Sequence, residues 1–270
     1  MKHLLLAAAL MLPVAALAQN ATPDAPAQTA VPVDALLNPA LPTIFIVGDS
    51  TARNKLDLGW GDHFAHFFDT TKINIANRAV AGRSSRSYMA EGRWSTTLAQ
   101  VKSGDYVLIQ MGHNDGAGTP DSVRADLKAR SSLKGLGDET VEVTLPNKPA
   151  ETVRTYGGYL RQYIAETRAK GATPILLTVT VRNIWKDGHI ERDMGFRAYE
   201  TQIADSQHVA LIDMATCAAD HFEALGPEKT ALLFPIDHTH TSPEGAEINA
   251  LCVAQALRAA KSPIAAYLKP

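Results

Sequence analysis

Short apolar runs recur along the chain from residue 43 to residue 213, and longer stretches with helical spacing separate them. The runs are continuous and rich in β-branched residues, which is typical of strands that are buried on both faces of a parallel sheet. We predict five such strands: TIFIV (43–47), INIANRAV (73–80), YVLIQM (106–111), PILLTVT (174–180) and VALID (209–213).

Two of the intervening stretches, 152–170 and 242–260, carry residues spaced along one face of a helix. These faces consist of Tyr156, Leu160, Tyr163 and Thr167 in the first stretch, and Ala246, Ala250, Val253 and Leu257 in the second. Residues 116–150 fit no long element and are interpreted as an insertion or a lid. The alternation of strands and helices predicts a single domain over residues 43–270, a three-layer α/β/α sandwich around a central, mainly parallel five-stranded sheet.

The first 42 residues differ from the rest of the chain. Lys2 precedes an apolar run that falls short of the roughly 20 residues needed to span a bilayer, and the small-residue motif ALA follows at 16–18. This pattern predicts a secretory signal peptide over residues 1–18, with a membrane anchor as the alternative. Residues 19–42 are rich in Ala and Pro and are interpreted as a flexible leader. We therefore expect a secreted protein, periplasmic or extracellular, without membrane contact after signal removal.

Composition narrows the class of protein. With 270 residues, 46% of them hydrophobic, the chain can build a full-sized core. The net charge is −2 at pH 7 and there is no basic block, so we expect no nucleic-acid partner. Export to an oxidising compartment would permit a disulfide between the two cysteines, Cys217 and Cys252. Two unpaired buried thiols are the equal alternative, because sequence does not place their Cα atoms within bridging range.

Polar segments follow the predicted strands. In open α/β sheets, ligands bind beyond the carboxyl ends of the strands, where such segments meet at one edge. The segments are GDS (48–50), AGRSS (81–85), GHND (112–115) and RN (182–183), each after a strand, and PIDHTHTSP (235–243), which comes after a helix that follows the last strand. The candidate chemistry is therefore concentrated at that edge.

Ser50 could be either a helix N-cap or a nucleophile. A serine nucleophile needs a base and a carboxylate that holds the base in one tautomer. Asp237 and His240 are three residues apart and can supply both within one tight turn. Stabilising the oxyanion requires donors already in place, and the candidates are the backbone N–H groups of Ser50 and Gly82 and the side-chain amide of Asn114. Together these five residues favour a nucleophile.

The same residues carry a family resemblance. The GDS segment, the glycine of the second loop, GHND and DHTH resemble the four blocks of the SGNH (GDSL-like) hydrolases. The longer segments IFIVGDSTA, NRAVAGRSSRSY, VLIQMGHND and DHTHTSPEGA resemble the rhamnogalacturonan acetylesterase group among them, which is similar to carbohydrate esterase family 12. This resemblance implies a flavodoxin-like fold, the triad Ser50–His240–Asp237, an oxyanion hole of Ser50, Gly82 and Asn114, and no metal or organic cofactor.

The resemblance also implies a substrate, an acetylated cell-wall polysaccharide or oligosaccharide, with pectic rhamnogalacturonan the leading candidate. Arginine can clamp a uronate carboxylate, and a tryptophan ring can stack on a sugar. The candidates for substrate binding are Arg83, Arg86, Arg182 and Trp185, with Arg93, Trp94 and Lys186 nearby. The alternative is that these arginines are solvated or paired with local acids such as Glu91.

Other functions stay open at the level of sequence. The same catalysis could act on acetylxylan or on a broad range of esters and lipids. A non-catalytic carbohydrate-binding protein is a further alternative, and Asp237, His238 and His240 could instead bind zinc. Asp49 and Asp115 are expected to brace the loops by hydrogen bonds.

Overall fold

The computed structural model describes residues 36–55, 57–116 and 118–270. The predicted signal peptide (1–18) and residues 19–35 of the predicted leader lie outside the described residues. The end of that leader is held against the domain, because the Asn74 amide donates to the Asn38 carbonyl at 2.9 Å. In the described part of the chain, none of the helices combines the length and the apolar character that crossing a bilayer requires.

The strands of the described residues are β1 (Thr43–Gly48), β2 (Asn74–Asn77), β3 (Tyr106–Gln110), β4 (Thr140–Val143), β5 (Glu151–Arg154), β6 (Thr173–Leu177), β7 (Trp185–Lys186), β8 (His189–Ile190) and β9 (Ala210–Ile212). The α-helices are α1 (Trp60–His63), α2 (Ser85–Ala90), α3 (Arg93–Leu98), α4 (Pro120–Ala125), α5 (Tyr156–Ala169), α6 (Arg197–Gln207), α7 (Met214–Leu225), α8 (Pro227–Leu232) and α9 (Pro243–Ala259). Short 3₁₀ helices span Phe64–Phe67 and Pro263–Tyr267.

The central sheet has five strands in the order β2-β1-β3-β6-β9, and all neighbouring pairs are parallel. Each of the five predicted strands is present, so the predicted three-layer sandwich is confirmed. The chain adds β2 on one side of β1 and then β3 on the other. Strand order therefore reverses between β1 and β3, and such a switch point opens a crevice at the carboxyl ends of the strands.

Both faces of the sheet are covered by apolar layers. Successive side chains of a strand point to opposite faces. Accordingly, Ile44 and Ile46 of β1 pack in one cluster with Trp60, whereas Phe45 and Val47 pack in the other, which includes residues of α2 and α5. All six residues of β1 are buried. This double burial fixes β1 and hence the position of the loop that follows it.

The region before α5 differs from the prediction. The helix expected over 152–170 begins only at Tyr156, after the Thr155 hydroxyl accepts a hydrogen bond from the Gly158 N–H at 2.8 Å. Residues 151–154 form β5, which pairs with β4 as an antiparallel hairpin. The predicted helix face is buried as expected. Part of the segment 116–150, which the sequence suggested to be an insertion or a lid, thus forms the strand β4. Local sequence does not reveal this strand, because β4 pairs with β5, which lies outside the segment.

A disulfide joins Cys217 of α7 to Cys252 of α9, with 5.7 Å between the Cα atoms and a sequence separation of 35. The structure therefore favours pairing over the alternative of two free thiols. Both helices pack on the same side of the sheet, in the cluster of Ile44 and Ile46. The crosslink constrains the unfolded chain around a long loop.

Replacing both Cys217 and Cys252 by alanine is expected to lower the free energy of unfolding by about 3–4 kcal/mol, as loop closure of this length predicts. Esterase kcat should stay within about twofold of the wild type, because neither cysteine reaches the carboxyl ends of the strands. Urea unfolding with and without reductant measures the difference. An equal unfolding midpoint for oxidised protein, reduced protein and the double variant would contradict the assignment.

Candidate active site

Ser50 lies in a tight turn just beyond the carboxyl end of β1. The Asp49 carbonyl accepts a hydrogen bond from the Ala52 N–H at 3.2 Å. The buried Asp49 carboxylate accepts from the N–H and hydroxyl of Thr51 at 2.8 and 2.7 Å, which is the predicted bracing. The next helix, α1, starts only at Trp60. Ser50 is therefore not a helix N-cap, and the braced turn presents its side chain instead.

His240 lies between Ser50 and Asp237. Its Nε2 is 2.9 Å from the Ser50 Oγ, and its Nδ1 is 2.7 Å from the Asp237 Oδ2. A carboxylate only accepts hydrogen bonds, so Nδ1 carries the hydrogen in the neutral ring and Nε2 presents a lone pair to the Ser50 hydroxyl. This geometry orients the imidazole to remove the hydroxyl proton.

Asp237 holds both the imidazole and its own loop. The Asp237 Oδ1 accepts hydrogen bonds from the backbone N–H groups of Thr239 and His240 at 2.7 and 2.8 Å. Partial burial raises the pKa of Asp237, but the hydrogen bonds from the His240 side chain and from the two backbone groups outweigh it and lower the pKa to about 2. Asp237 is consequently ionised at neutral pH and can stabilise a protonated His240.

The loops after β2 and β3 flank the Ser50 turn. The Val80 N–H donates to the Gly48 carbonyl at 3.0 Å, and the Asn114 amide donates to the Arg83 carbonyl at 3.1 Å. Within the described part of the chain, the backbone N–H groups of Ser50 and Gly82 donate no hydrogen bond. The second amide hydrogen of Asn114 is also left over after its bond to Arg83. Three donors are thereby left over in the Ser50 turn and in the two loops that flank it.

Two residues shape the loops that carry these donors. Gly82 has a φ of +76°, in the left-handed region that favours glycine. Asp115 is fully buried behind Asn114 and accepts hydrogen bonds from the Ser85 N–H at 3.1 and 3.2 Å. Burial raises the pKa of Asp115 to about 7, against the hydrogen bonds from Ser85. The loops after β2 and β3 are thus joined through Asp115, as the sequence predicted for a bracing acid.

Sequence reasoning missed a second support beneath the third loop. The Tyr156 hydroxyl lies 2.7 Å from the Met111 carbonyl oxygen and 3.0 Å from Glu200 Oε1. Burial raises the pKa of Glu200 well above its usual range, so its protonated form can join this network. Tyr156 was recognised only as part of an apolar helix face. Contacts between residues so far apart in the chain leave no local pattern.

The structure separates the predicted substrate-binding residues into two groups. The prediction that Arg86 contacts the substrate is wrong, because its side chain is fully buried and its Nε donates to Glu151 at 2.9 Å. Arg83 pairs with Glu91 at 2.9 Å, which is the alternative of a local acid. Trp94 and Arg93 are also buried.

Arg182 and Trp185 lie beside the loop that carries His240. The Asn183 N–H donates to the His238 carbonyl at 2.7 Å, and the Trp185 indole donates to the Asn183 side chain at 2.8 Å. Arg182 and Trp185 are both partly exposed. They therefore stay candidates for contact with a substrate.

Two clusters in the described residues bring three potential metal ligands within 4.8 Å of one another: Cys217, His221 and Cys252, and His63, His66 and Glu247. The sulfur atoms of the first are joined in the disulfide. In the second, both imidazoles lie within hydrogen-bond distance of one Glu247 oxygen, at 2.7 and 3.1 Å. Neither cluster includes Asp237 or His240, whose side chains face each other. The arrangement at Ser50 matches serine chemistry better than the zinc alternative.

Known proteins resemble this chain over most of its described length. Residues 46–248 match the model of the GDSL-like Lipase/Acylhydrolase family. A rhamnogalacturonan acetylesterase of Emericella nidulans is 37% identical over 76% of this chain and 80% of its own. A protein named as a probable rhamnogalacturonan acetylesterase of Bacillus subtilis is 30% identical over 80% of this chain and 92% of its own.

Solved structures share the fold. The Bacillus subtilis protein YxiM aligns with a TM-score of 0.65 at 24% identity, over 83% of this chain and 58% of that one. An acetylxylan esterase from Geobacillus stearothermophilus aligns with a TM-score of 0.54 at 18% identity, over 80% of this chain and 94% of that one. With the family match across most of the domain, these findings show that the chain belongs to the GDSL-like lipase/acylhydrolase family and is a hydrolase of ester bonds.

Proposed function

We propose that this protein is a carbohydrate acetylesterase that removes O-acetyl groups from pectic rhamnogalacturonan through Ser50, His240 and Asp237. One observation carries the catalytic part: His240 lies 2.9 Å from the Ser50 hydroxyl and 2.7 Å from an ionised Asp237. A hydroxyl, an oriented base and a carboxylate in this order are what acyl transfer to serine requires.

The geometry supports the following reaction. His240 takes the proton of Ser50 as Oγ attacks the acetyl carbonyl, and Asp237 stabilises the imidazolium that forms. The oxyanion is bound by the N–H groups of Ser50 and Gly82 and by the free amide hydrogen of Asn114. The protonated His240 then donates its proton to the departing sugar oxygen. Water, activated by the same imidazole, releases acetate from Ser50.

The substrate assignment has independent support. Two relatives at 30% identity or above carry the name rhamnogalacturonan acetylesterase, one of them as probable. Partly exposed Arg182 and Trp185 lie near the catalytic loop and supply a cation and a ring face for an acidic sugar. We also propose that residues 1–18 direct export, since a polymeric glycan is met outside the cell.

The function is tested by measuring acetate release from acetylated rhamnogalacturonan and acetylated xylan side by side with purified mature protein. We expect faster release from the pectic polymer. Equal or faster release from xylan would leave the serine mechanism in place and overturn the choice of polymer. A protein that releases acetate from neither polymer and cleaves no aryl acetate would overturn the assignment of esterase activity.

Asn114→Ala is expected to lower kcat by about 10²–10³-fold with little change in KM, because one donor to the developing oxyanion is lost. Asn114→Asp keeps the shape but replaces the donor with a carboxylate, so its kcat should fall at least as far. Steady-state kinetics on an aryl acetate measure both variants. An unchanged kcat in a folded Asn114→Ala protein would remove Asn114 from the oxyanion hole.

A further inference from the structure

The side chain of Arg130 approaches the oxyanion loop from the segment 116–150. A Cβ atom added to Gly82 would lie 3.1 Å from the Arg130 Nη2 and 3.5 Å from its Cζ. The guanidinium therefore packs against Gly82, whose N–H is one of the proposed oxyanion donors. Sequence reasoning did not single out Arg130, because the segment that carries it showed no regular pattern.

The backbone holds Arg130 in place without using its charge. The Asp126 carboxylate accepts hydrogen bonds from the N–H groups of Arg130 and Ser131 at 2.9 and 2.7 Å, and from the Ser131 hydroxyl at 2.8 Å. Burial raises the pKa of Asp126, but these hydrogen bonds outweigh it and lower the pKa below its usual value. The nearest acid in sequence is thus bound to the turn's own backbone.

The charge of Arg130 is also left unpaired by its neighbours. Around the same loop, Arg83 pairs with Glu91 and Arg86 pairs with Glu151. Across the described ranges, the Arg130 guanidinium has neither an ion pair nor a hydrogen bond, and the residue is partly exposed. A guanidinium without an ion pair or hydrogen bond, on a partly exposed residue whose backbone is fixed beside the oxyanion loop, is suited to bind an anion.

We propose that Arg130 forms a carboxylate-binding subsite beside the oxyanion hole, which binds the uronate next to the acetylated position of the substrate. This assignment rests on the proposed function and names the residue that binds the negative charge of the substrate. A guanidinium binds a carboxylate through two parallel hydrogen bonds, which select a uronic acid over a neutral sugar. Gly82 permits the close approach, because a Cβ there would crowd the Arg130 Nη2.

The test is the ratio of kcat/KM for an acetylated rhamnogalacturonan oligosaccharide to kcat/KM for 4-nitrophenyl acetate. In Arg130→Gln we expect this ratio to fall by about 10- to 100-fold, the effect of losing one charge-assisted pair, mainly through KM for the acidic substrate. The matched control is Arg124→Gln, on the exposed face of α4 and paired with Asp121 at 3.2 Å. Its ratio should equal that of the wild type.

Other outcomes overturn the subsite. An equal loss on both substrates would mean that Arg130 acts on the oxyanion or on folding, and an unchanged ratio would mean that it binds no carboxylate. A second measurement is independent of the natural polymer: inhibition of 4-nitrophenyl acetate hydrolysis by D-galacturonate and by D-galactose. Wild type should prefer galacturonate, and Arg130→Gln should lose that preference. This preference can persist even if acetate release from rhamnogalacturonan fails, so the two proposals are separable.

Discussion

Ser50→Ala is expected to lower kcat/KM for ester hydrolysis by about 10⁴- to 10⁶-fold, because the nucleophile is removed and His240 has no proton to take. The Ser50 hydroxyl makes one hydrogen bond among the described residues, with the His240 Nε2. Its loss should therefore leave the melting temperature within a few degrees of the wild type. Single-turnover kinetics with an aryl acetate measure the loss, and an active-site serine probe should label only the wild type.

The matched control for Ser50→Ala is Ser206→Ala. Ser206 lies on α6, where its hydroxyl donates to the Ile203 carbonyl of the same helix and makes no other hydrogen bond to a described residue. The control should keep wild-type kinetics and labelling. Residual activity near the wild-type level in a folded, carefully purified Ser50→Ala protein would refute the triad.

Asp237→Asn is expected to lower kcat by about 10³–10⁴-fold. The amide oxygen can still accept hydrogen bonds from the N–H groups of Thr239 and His240, so the loop should persist. An amide hydrogen facing the imidazole, however, favours the tautomer with the proton on Nε2. His240 then presents no lone pair to Ser50, and the imidazolium loses its counter-charge.

The acid side of the pH profile offers a second measurement on Asp237. The pKa of Asp237 is lowered to about 2. The stabilisation that its ionised carboxylate gives to the folded protein is therefore present above the ordinary pKa of 3.8 and is lost as the pH falls toward 2. Asp237 therefore stays ionised between about pH 5 and pH 7, so its titration should contribute nothing to any fall of kcat in that range. Asp121→Asn, at an exposed position, is the control for the change of charge. A kcat for Asp237→Asn within tenfold of the wild type would contradict the assigned role.

The loops that carry the proposed oxyanion donors are held in place by buried groups. Asp115 connects the loops after β2 and β3 through Ser85, and Tyr156 reaches the carbonyl of Met111 beneath the third loop. Both supports are buried, and both fix donors that must be in place before charge develops on the substrate. Their effect on catalysis would therefore run through the position of Gly82 and Asn114.

Local sequence was sufficient for the elements of the sheet. Strands buried on both faces must be continuously apolar, so β1, β3 and β6 were readable from composition alone. The hairpin of β4 and β5 was not, because its pairing joins residues across a connecting loop and each strand is too short to stand out. The same limit explains why the predicted start of α5, at residue 152, lies before its observed start at Tyr156.

The sequence by itself determined the order of the strands along the chain and the candidate residues Ser50, Gly82, Asn114, Asp237 and His240. Parallel strands bring their carboxyl ends to one edge, so the loops of Ser50, Gly82 and Asn114 had to meet there. Asp237 and His240 lie in the loop between α8 and α9, and the tertiary structure brings that loop to Ser50. Only the tertiary structure decided which charges are available beside them. Arg86, which the sequence made a candidate for substrate binding, is buried against Glu151, whereas Arg130, which no sequence pattern marked, is partly exposed against Gly82. Whether an arginine is neutralised depends on acids brought near it by folding, and residue type alone does not encode that distance.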